Sequence, residues 1–115
     1  MKLLIVEDNP TVRQMIRQVA ATFADHISEC SDSAEAVAAY TTEQPDWVLM
    51  DVRMPRLNGI QATRQIRAAF PAARIIIVTS FDEPGLREAA QQAGACGYVL
   101  KENLLELREW FQRTN

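Results

Sequence analysis

The sequence predicts an α/β fold built on a parallel five-stranded sheet, because five short apolar runs alternate with longer amphipathic patterns of helical period. The runs at residues 48–50 and 75–78 are apolar without alternation, which is typical of central strands that helices cover on both faces. A length of 115 residues with 48% hydrophobic content is sufficient for one compact domain with its own core.

Strands and helices are expected to alternate along the whole chain. The strands are predicted at residues 3–6, 27–30, 47–50, 75–78 and 96–100. Asn9 and Pro10 supply an N-cap and a first-turn proline for the first helix, whose apolar positions recur at helical spacing over residues 12–23. The other helices are predicted at residues 33–42, 59–70, 84–93 and 103–112, with Gly94 as the C-terminal cap of the fourth.

Charge and composition exclude several classes of function. The net charge is −3, without a basic stripe, so direct binding to nucleic acid is not expected. No apolar run approaches the roughly 20 residues of a membrane-spanning helix, and the first residues turn acidic too early for a secretory signal. We therefore expect a cytoplasmic protein without a membrane partner. Cys30 and Cys96 fall on different predicted strands and are expected to be small buried hydrophobic residues, not a disulfide or a pair of metal ligands.

Polar residues follow four of the five predicted strands. In chain order they are Glu7 and Asp8, Asp51, Thr79 and Ser80, and Lys101. The carboxyl ends of parallel strands meet at one edge of a sheet, and ligands bind there beside the point where the winding reverses. If the first and third strands are neighbours, three carboxylates crowd together and need a compensating cation. Oxygen ligands favour Mg²⁺ or Mn²⁺ over Zn²⁺.

Each of these residues also has an ordinary structural interpretation. An aspartate after a strand is commonly a turn former or a helix cap, and a single hydroxyl or lysine in a loop is commonly solvated. The combination of three acids, a hydroxyl and an amine at the ends of buried strands instead indicates a functional site. Lys101 stands out because the only other lysine is Lys2, and a lysine offers a compact charge that suits an anion which must later be released.

The segments LLIVEDNP, WVLMDVRMPRLNG, IIIVTS and GYVLKENL closely resemble the receiver domains of bacterial response regulators, and the resemblance covers essentially the whole chain. It implies a flavodoxin-like, doubly wound sheet of strand order 2-1-3-4-5 with five helices. It also implies one receiver domain over residues 1–115, with no output domain in this chain. The ending GYVLKENLLEL is most similar to receivers of regulators with a helix-turn-helix output domain.

The resemblance implies a phosphorylation switch of a two-component phosphorelay. Asp51 would accept a phosphoryl group from a sensor histidine kinase, a phosphotransfer protein or a small phosphodonor. Asp8, Asp51 and the backbone carbonyl of Arg53 would bind Mg²⁺ directly, Glu7 would act through a bound water, and Lys101 would pair with the phosphoryl oxygens. The protein would not be an enzyme, except that it catalyses its own phosphorylation and slow dephosphorylation.

The same resemblance assigns a switching role to two residues. Thr79 would swing toward the phosphoryl group, and Tyr98 would turn inward to fill the vacated space. Accessory residues of the loops would be Ser80, Met54, Pro55 and Gly59. The exposed side of the fourth and fifth helices with the fifth strand would contact an output protein, and the first and fifth helices, near Trp110 and Phe111, would support a homodimer on phosphorylation.

Two features depart from the family pattern or add to it. Many receivers have a proline after the lysine, often with a cis peptide, whereas Glu102 follows Lys101 here. Phe81, two residues after Thr79, is expected to restrict the entry of hydrolytic water and to prolong the phosphorylated state.

Three other functions fit the sequence less well than the switch. A phosphatase with an aspartyl phosphate intermediate would resemble an Asp-x-Asp pattern, but Arg53 occupies the second acidic position. A flavin binder would need a phosphate-cradling loop after the first strand, where Glu7 and Asp8 repel an anion. A receiver-like module that is never phosphorylated would not need the complete set of acids and lysine.

Overall fold

A computed structural model describes residues 1–53 and 58–112 of the chain. The strands are β1 (Lys2–Val6), β2 (His26–Cys30), β3 (Trp47–Met50), β4 (Ile75–Thr79) and β5 (Gly97–Leu100). The helices are α1 (Pro10–Ala20), α2 (Ala36–Glu43), α3 (Gly59–Ala69), α4 (Pro84–Gln92) and α5 (Leu107–Gln112). Short 3₁₀ segments, Ser33–Glu35 and Lys101–Glu106, precede α2 and α5.

The five strands form one parallel sheet of order 2-1-3-4-5, which confirms the predicted flavodoxin-like topology. One face packs against α1 and α5, with Ile16 and Leu107 in its core, and the other packs against α2, α3 and α4, with Tyr40 and Ile66. Helices therefore cover both faces, as the uninterrupted apolar runs of β3 and β4 predicted. The winding changes direction between β1 and β3.

Local signals explain where several elements begin and end. The Asn9 side chain accepts hydrogen bonds from the backbone N–H groups of Thr11 and Val12, so it caps α1 as predicted. Gly94 has a φ of 104° directly after α4, the left-handed conformation expected of a C-terminal glycine. Both end signals were therefore identified correctly from the sequence.

The last predicted helix is shorter than expected. Residues 101–106 form 3₁₀ turns, and Asn103 has non-helical angles (φ −125°, ψ 43°), so α5 begins only at Leu107. Leu104 and Leu107 are both buried, and a 3₁₀ turn places residues three apart on one side. The Lys101–Glu102 peptide is trans. Where many receivers have a proline after the lysine, this chain has Glu102 within a 3₁₀ turn.

The two cysteines lie at opposite edges of the sheet. Cys30 ends the edge strand β2 and Cys96 precedes the opposite edge strand β5, and both thiols are free. Cys30 is buried as predicted, but the prediction is wrong for Cys96, which is exposed because it lies in the turn between α4 and β5 at the edge of the sheet. Among the helices of residues 1–53 and 58–112, none combines the length and apolar character that a bilayer crossing requires.

Candidate functional site

The site lies at the carboxyl ends of β1 and β3, where the winding of the sheet reverses. Val6 pairs with Met50, so the residues that follow these two strands leave the sheet side by side. The Asp51 N–H donates to the Val6 carbonyl at 3.0 Å, and the Glu7 N–H donates to the Cys30 carbonyl at 3.0 Å. The sheet ladder thus continues into the acidic residues and fixes their backbone.

Three carboxylates converge at this edge. Glu7, Asp8 and Asp51 each offer an oxygen within 4.8 Å of the oxygens of the other two. Glu7 and Asp51 are 1% and 5% exposed, whereas Asp8 is open to solvent. Like charges at this separation repel unless a cation or a proton compensates. The all-oxygen donor set, with two buried carboxylates and one exposed carboxylate, fits a hard divalent cation that keeps part of its water shell.

Lys101 supplies the compensating positive charge in the protein itself. Its Nζ lies 2.9 Å from Glu7 Oε1 and 3.3 Å from Asp51 Oδ1. Lys101 follows β5, so this amine reaches across the ends of β4 and β3 to the residue that follows β1. The direct contact between Lys101 and Glu7 was not predicted from the sequence, which gave Glu7 a role through water only.

Burial and neighbouring charges shift the pKa values of Glu7, Asp51 and Lys101. Burial raises the pKa of Glu7 to about 7, and the neighbouring Asp51 charge adds to this effect, while Lys101 opposes it. Burial also raises the pKa of the Asp51 carboxyl, against the opposing effect of Lys101. Burial alone would lower the pKa of Lys101, but its contacts with Glu7 and Asp51 outweigh burial and raise that pKa. The amine therefore stays charged.

Gly59 shapes the backbone beside the candidate acceptor. A Cβ atom at this position would lie 1.7 Å from the carbonyl oxygen of Asp51. The Gly59 N–H donates to the Val52 carbonyl at 2.8 Å, and the Val52 N–H donates to Asp51 Oδ1 at 2.9 Å. Only glycine allows this approach of α3 to the end of β3. The other two predicted loop residues, Met54 and Pro55, lie outside the described residues.

Thr79 and Tyr98 both contact the backbone of Phe81. Thr79 is the fully buried last residue of β4, and its Oγ1 accepts from the Phe81 N–H at 3.4 Å. The half-buried Tyr98 donates its hydroxyl to the Phe81 carbonyl at 2.6 Å, and the Arg87 guanidinium lies 4.5 Å above its ring. The predicted switch pair is thus connected through one loop residue. Ser80, which lies between Thr79 and Phe81 in the sequence, is exposed.

Phe81 also contacts the residue two positions after Asp51. The guanidinium carbon of Arg53 lies 3.9 Å from the centroid of the Phe81 ring, a cation–π distance. The loops that follow β3 and β4 therefore meet through these two side chains.

Sequence reasoning missed two residues that hold the acidic segment. The Asn9 N–H donates to Glu7 Oε2 at 3.2 Å, and the Arg13 guanidinium donates to the Glu7 carbonyl at 2.9 Å. The N-cap role of Asn9 was visible in the sequence, but its bond to Glu7 was not. Arg13 carries no local signal, because one turn into a helix an arginine is ordinarily a solvated side chain.

The sequence model of the response regulator receiver domain matches residues 3–112. The chain belongs to this family. The receiver domain is 37% identical over 107 residues to the uncharacterized transcriptional regulatory protein YxjL of Bacillus subtilis, covering 91% of this chain and 49% of the relative. It is 31% identical to the response regulator MprA of Mycobacterium avium, covering 99% of this chain and 52% of MprA. The chain thus spans about half the length of these curated relatives.

A solved structure agrees with this assignment. The crystal structure of a LuxR-family two-component response regulator from Aurantimonas sp. SI85-9A1 superimposes on the receiver domain with a TM-score of 0.90 and 34% identity, covering 98% of this chain and 83% of the other. Receiver domains act in general as phosphorylation switches, bind Mg²⁺ at an acidic site, are known for autophosphorylation and interact with histidine kinases and output domains. The family assignment sets aside the flavin-binding and phosphatase alternatives.

Proposed function

We propose that this receiver domain accepts a phosphoryl group on Asp51 and thereby changes its partner-binding surface. The observation that carries the proposal is the convergence of the Lys101 amine with the carboxylates of Glu7 and Asp51 at the switch point. Asp8 completes the acidic cluster on the solvent side. This arrangement brings together a carboxylate nucleophile, the positively charged Lys101 amine and oxygen ligands for a metal ion.

The acidic cluster suits Mg²⁺ or Mn²⁺. The carboxylates of Asp8 and Asp51 and the backbone carbonyl of Arg53 would be direct ligands, and Glu7 would act through a water. The bound ion would neutralise charge on the phosphoryl oxygens. Asp8, being exposed, is accessible to a hydrated ion, whereas the buried Glu7 is held by Lys101 and the Asn9 N–H.

In the transfer step the Asp51 carboxylate attacks the phosphorus of a phosphohistidine or of a small donor such as acetyl phosphate. The bond between phosphorus and the donor atom breaks as the acyl phosphate forms, and the imidazole or acetate leaves. Asp51 Oδ1 is held by the Val52 N–H and by Lys101, so Oδ2 would be the attacking oxygen. Lys101 then neutralises charge on the phosphoryl oxygens. No separate general base is needed, because Asp51 attacks as a carboxylate.

The phosphoryl group would be read out through Thr79 and Tyr98. It offers three strong acceptors, and the Thr79 hydroxyl can donate to one of them. Tyr98 can turn inward only by giving up its bond to the Phe81 carbonyl. A typical hydrogen bond contributes about 1 kcal/mol net, so the two arrangements are close enough in energy to form a switch.

The partners follow from the same proposal. A sensor histidine kinase or phosphotransfer protein would donate the phosphoryl group. The receiver unit, residues 1–115, would pass the signal through the side of α4, β5 and α5 to an output protein or to a DNA-binding domain outside this sequence. The first and fifth helices would support a homodimer of the phosphorylated form. Apart from its own phosphorylation and slow dephosphorylation, the domain would catalyse no reaction.

Intact-mass measurement tests the acceptor assignment. After incubation with acetyl phosphate and Mg²⁺, we expect the native protein to gain about 80 Da, the mass of one phosphoryl group, and Asp51→Asn to gain nothing. Circular dichroism of the variant confirms that it is folded. A native protein without mass gain would support the receiver-like module that is never phosphorylated, and an equal gain in Asp51→Asn would place the phosphoryl group elsewhere.

A further inference from the structure

Arg13 connects three separate elements at the back of the acidic cluster. It lies in α1, and its NH1 donates to the carbonyl of Glu7 at 2.9 Å, just beyond β1. The Nε of the same guanidinium donates to Glu29 Oε1 in β2 at 3.1 Å. The planar guanidinium can bind two acceptors in fixed directions, which an ammonium group cannot do in the same way.

Glu29 is itself held from two sides. Its second oxygen, Oε2, lies 2.5 Å from NH1 of Arg17, one helical turn after Arg13. The side chains of Arg13 and Glu29 are 21% and 32% exposed, so the group is only partly screened by solvent. An isolated surface ion pair contributes little. Here the bond from Arg13 Nε to Glu29 Oε1 restrains the direction in which the Arg13 guanidinium points, while Arg17 binds the other oxygen of the same carboxylate.

The carbonyl that Arg13 binds belongs to the peptide between Glu7 and Asp8. The orientation of this peptide decides where both acidic side chains leave the backbone. On its N-terminal side, Glu7 is fixed by its N–H bond to the Cys30 carbonyl. On its C-terminal side, Asn9 caps α1 and donates its N–H to Glu7 Oε2. Arg13 restrains the peptide that lies between these two fixed points.

From this geometry we propose that Arg13, oriented by Glu29, is a positioning residue that holds the Glu7–Asp8 peptide so that both carboxylates face Asp51. The inference rests on the proposed Mg²⁺ site and adds the residue on which its preorganisation depends. Outer-shell hydrogen bonds of this kind commonly change metal affinity by about 10-fold or more when they are removed.

Positioning and simple electrostatics predict opposite signs for one substitution. Arg13→Met keeps the apolar stem and removes the guanidinium. If Arg13 acts only as a nearby positive charge, its removal relieves repulsion and Mg²⁺ binds more tightly. If Arg13 positions the acidic peptide, its removal weakens Mg²⁺ binding. We expect the dissociation constant of Mg²⁺ to rise by about 10-fold, measured by isothermal titration calorimetry on the unphosphorylated protein.

Arg17→Met is the matched control. Like Arg13→Met, it removes one positive charge from α1 and one contact with Glu29. It leaves the bond between Arg13 and the Glu7 carbonyl in place. We expect its Mg²⁺ affinity to stay within about twofold of the native value, well below the effect of an outer-shell bond. Arg13→Lys retains the positive charge but not the planar guanidinium that binds two acceptors, so it should restore Mg²⁺ binding only in part. In autophosphorylation with acetyl phosphate, Arg13→Met should need more Mg²⁺ for half-maximal rate and recover the native rate at saturation.

The outcomes separate this inference from the proposed function. Absence of Mg²⁺ binding by the native protein would overturn the proposed site itself. Native binding together with equal or tighter binding by Arg13→Met would overturn the positioning role alone. Thermal unfolding shows whether the variant is folded, and if it is not, Glu29→Gln, which loosens Arg13 without altering it, should weaken Mg²⁺ binding in the same direction. Unchanged binding in a folded Glu29→Gln would then count against the proposal.

Discussion

At the scale of single residues, Glu7 and Lys101 determine how charge is balanced at the site. Glu7 is 1% exposed, and an unpaired carboxylate at that depth is unfavourable. Lys101 offsets this cost through its contact at 2.9 Å, but it also faces Asp51 and cannot fully neutralise two acids. The consequence is the raised pKa of Glu7, about 7 in place of 4.5.

This raised pKa predicts how stability depends on pH in the metal-free protein. Between about pH 4.5 and pH 7 the folded state binds more protons at Glu7 than the unfolded state does. The free energy of unfolding therefore falls as pH rises through this window, by roughly 1 to 3 kcal/mol from this group. The raised pKa of Asp51 acts in the same direction. Urea unfolding in EDTA at pH 5, 6, 7 and 8 measures the effect.

Glu7→Gln provides the control for this pH dependence, because glutamine has a similar shape and does not titrate. The difference in stability between the native protein and Glu7→Gln should favour the native protein more at pH 5 than at pH 8. A difference that stays constant between pH 5 and pH 8 would mean that Glu7 is ionised in the folded protein throughout this range, and would contradict the raised pKa.

Phe81 connects the loop after β3 with both proposed switch residues. Its ring packs against the Arg53 guanidinium, and its backbone binds both Thr79 and Tyr98. We predict that Phe81→Ala opens a path for water and shortens the lifetime of the phosphorylated protein several-fold. Intact mass followed over time after removal of the donor measures this rate.

Phe81→Leu, which keeps most of the bulk, should decay close to the native rate. Arg53→Gln separates loss of the ring from loss of its cationic partner. An unchanged or slower decay in Phe81→Ala would be evidence against a gating role.

At the scale of elements, the start of α3 is the most restricted junction beside the site. Gly59 opens this helix, and the Asn58 and Gln61 side chains form a capping box around it. Because a Cβ at position 59 would overlap the Asp51 carbonyl oxygen, either α3 or the end of β3 must move in any variant with a side chain.

We therefore predict that Gly59→Ala lowers the free energy of unfolding by about 1 to 3 kcal/mol and weakens Mg²⁺ binding. Gly85→Ala is the matched control, since a Cβ on Gly85 in α4 meets no atom within 4 Å. It should be neutral or stabilising by up to about 1 kcal/mol. Equal stability of the two variants in urea would show that the α3 junction can relax freely.

The ends of the strands could be predicted from the sequence, but the 3₁₀ segment before α5 could not. The strands were predicted to within one residue at each end because their apolar runs are short and uninterrupted, and α1 and α4 have clear end signals in Asn9 and Gly94. The failure at residues 101–106 has a physical cause. Leu104 and Leu107 fit a helical and a 3₁₀ spacing equally well, and the choice depends on packing against α1 and β5.

At the scale of the whole molecule, the topology explains why the grouping of the candidate site residues could be predicted but their individual contacts could not. Parallel strands carry the residues that follow them to one edge, so the grouping of Asp8, Asp51 and Lys101 follows from strand order. Which acid pairs with Lys101, and the reach of Arg13 to the Glu7 carbonyl, depend on distances across three elements. Such distances leave no pattern in a single sequence.

The packing of Trp110 against β5 has a practical consequence. A Cβ at Gly97 would lie 2.9 Å from the Trp110 indole, so this ring covers β5 on the α1 and α5 face, whereas Tyr98 packs on the opposite face of the same strand. The other tryptophan, Trp47, is 2% exposed and deeply enclosed on the α1 and α5 face. The molecule therefore carries an intrinsic fluorophore on the strand that bears Tyr98, one of its proposed moving parts, and ultraviolet emission can follow the domain without any attached dye.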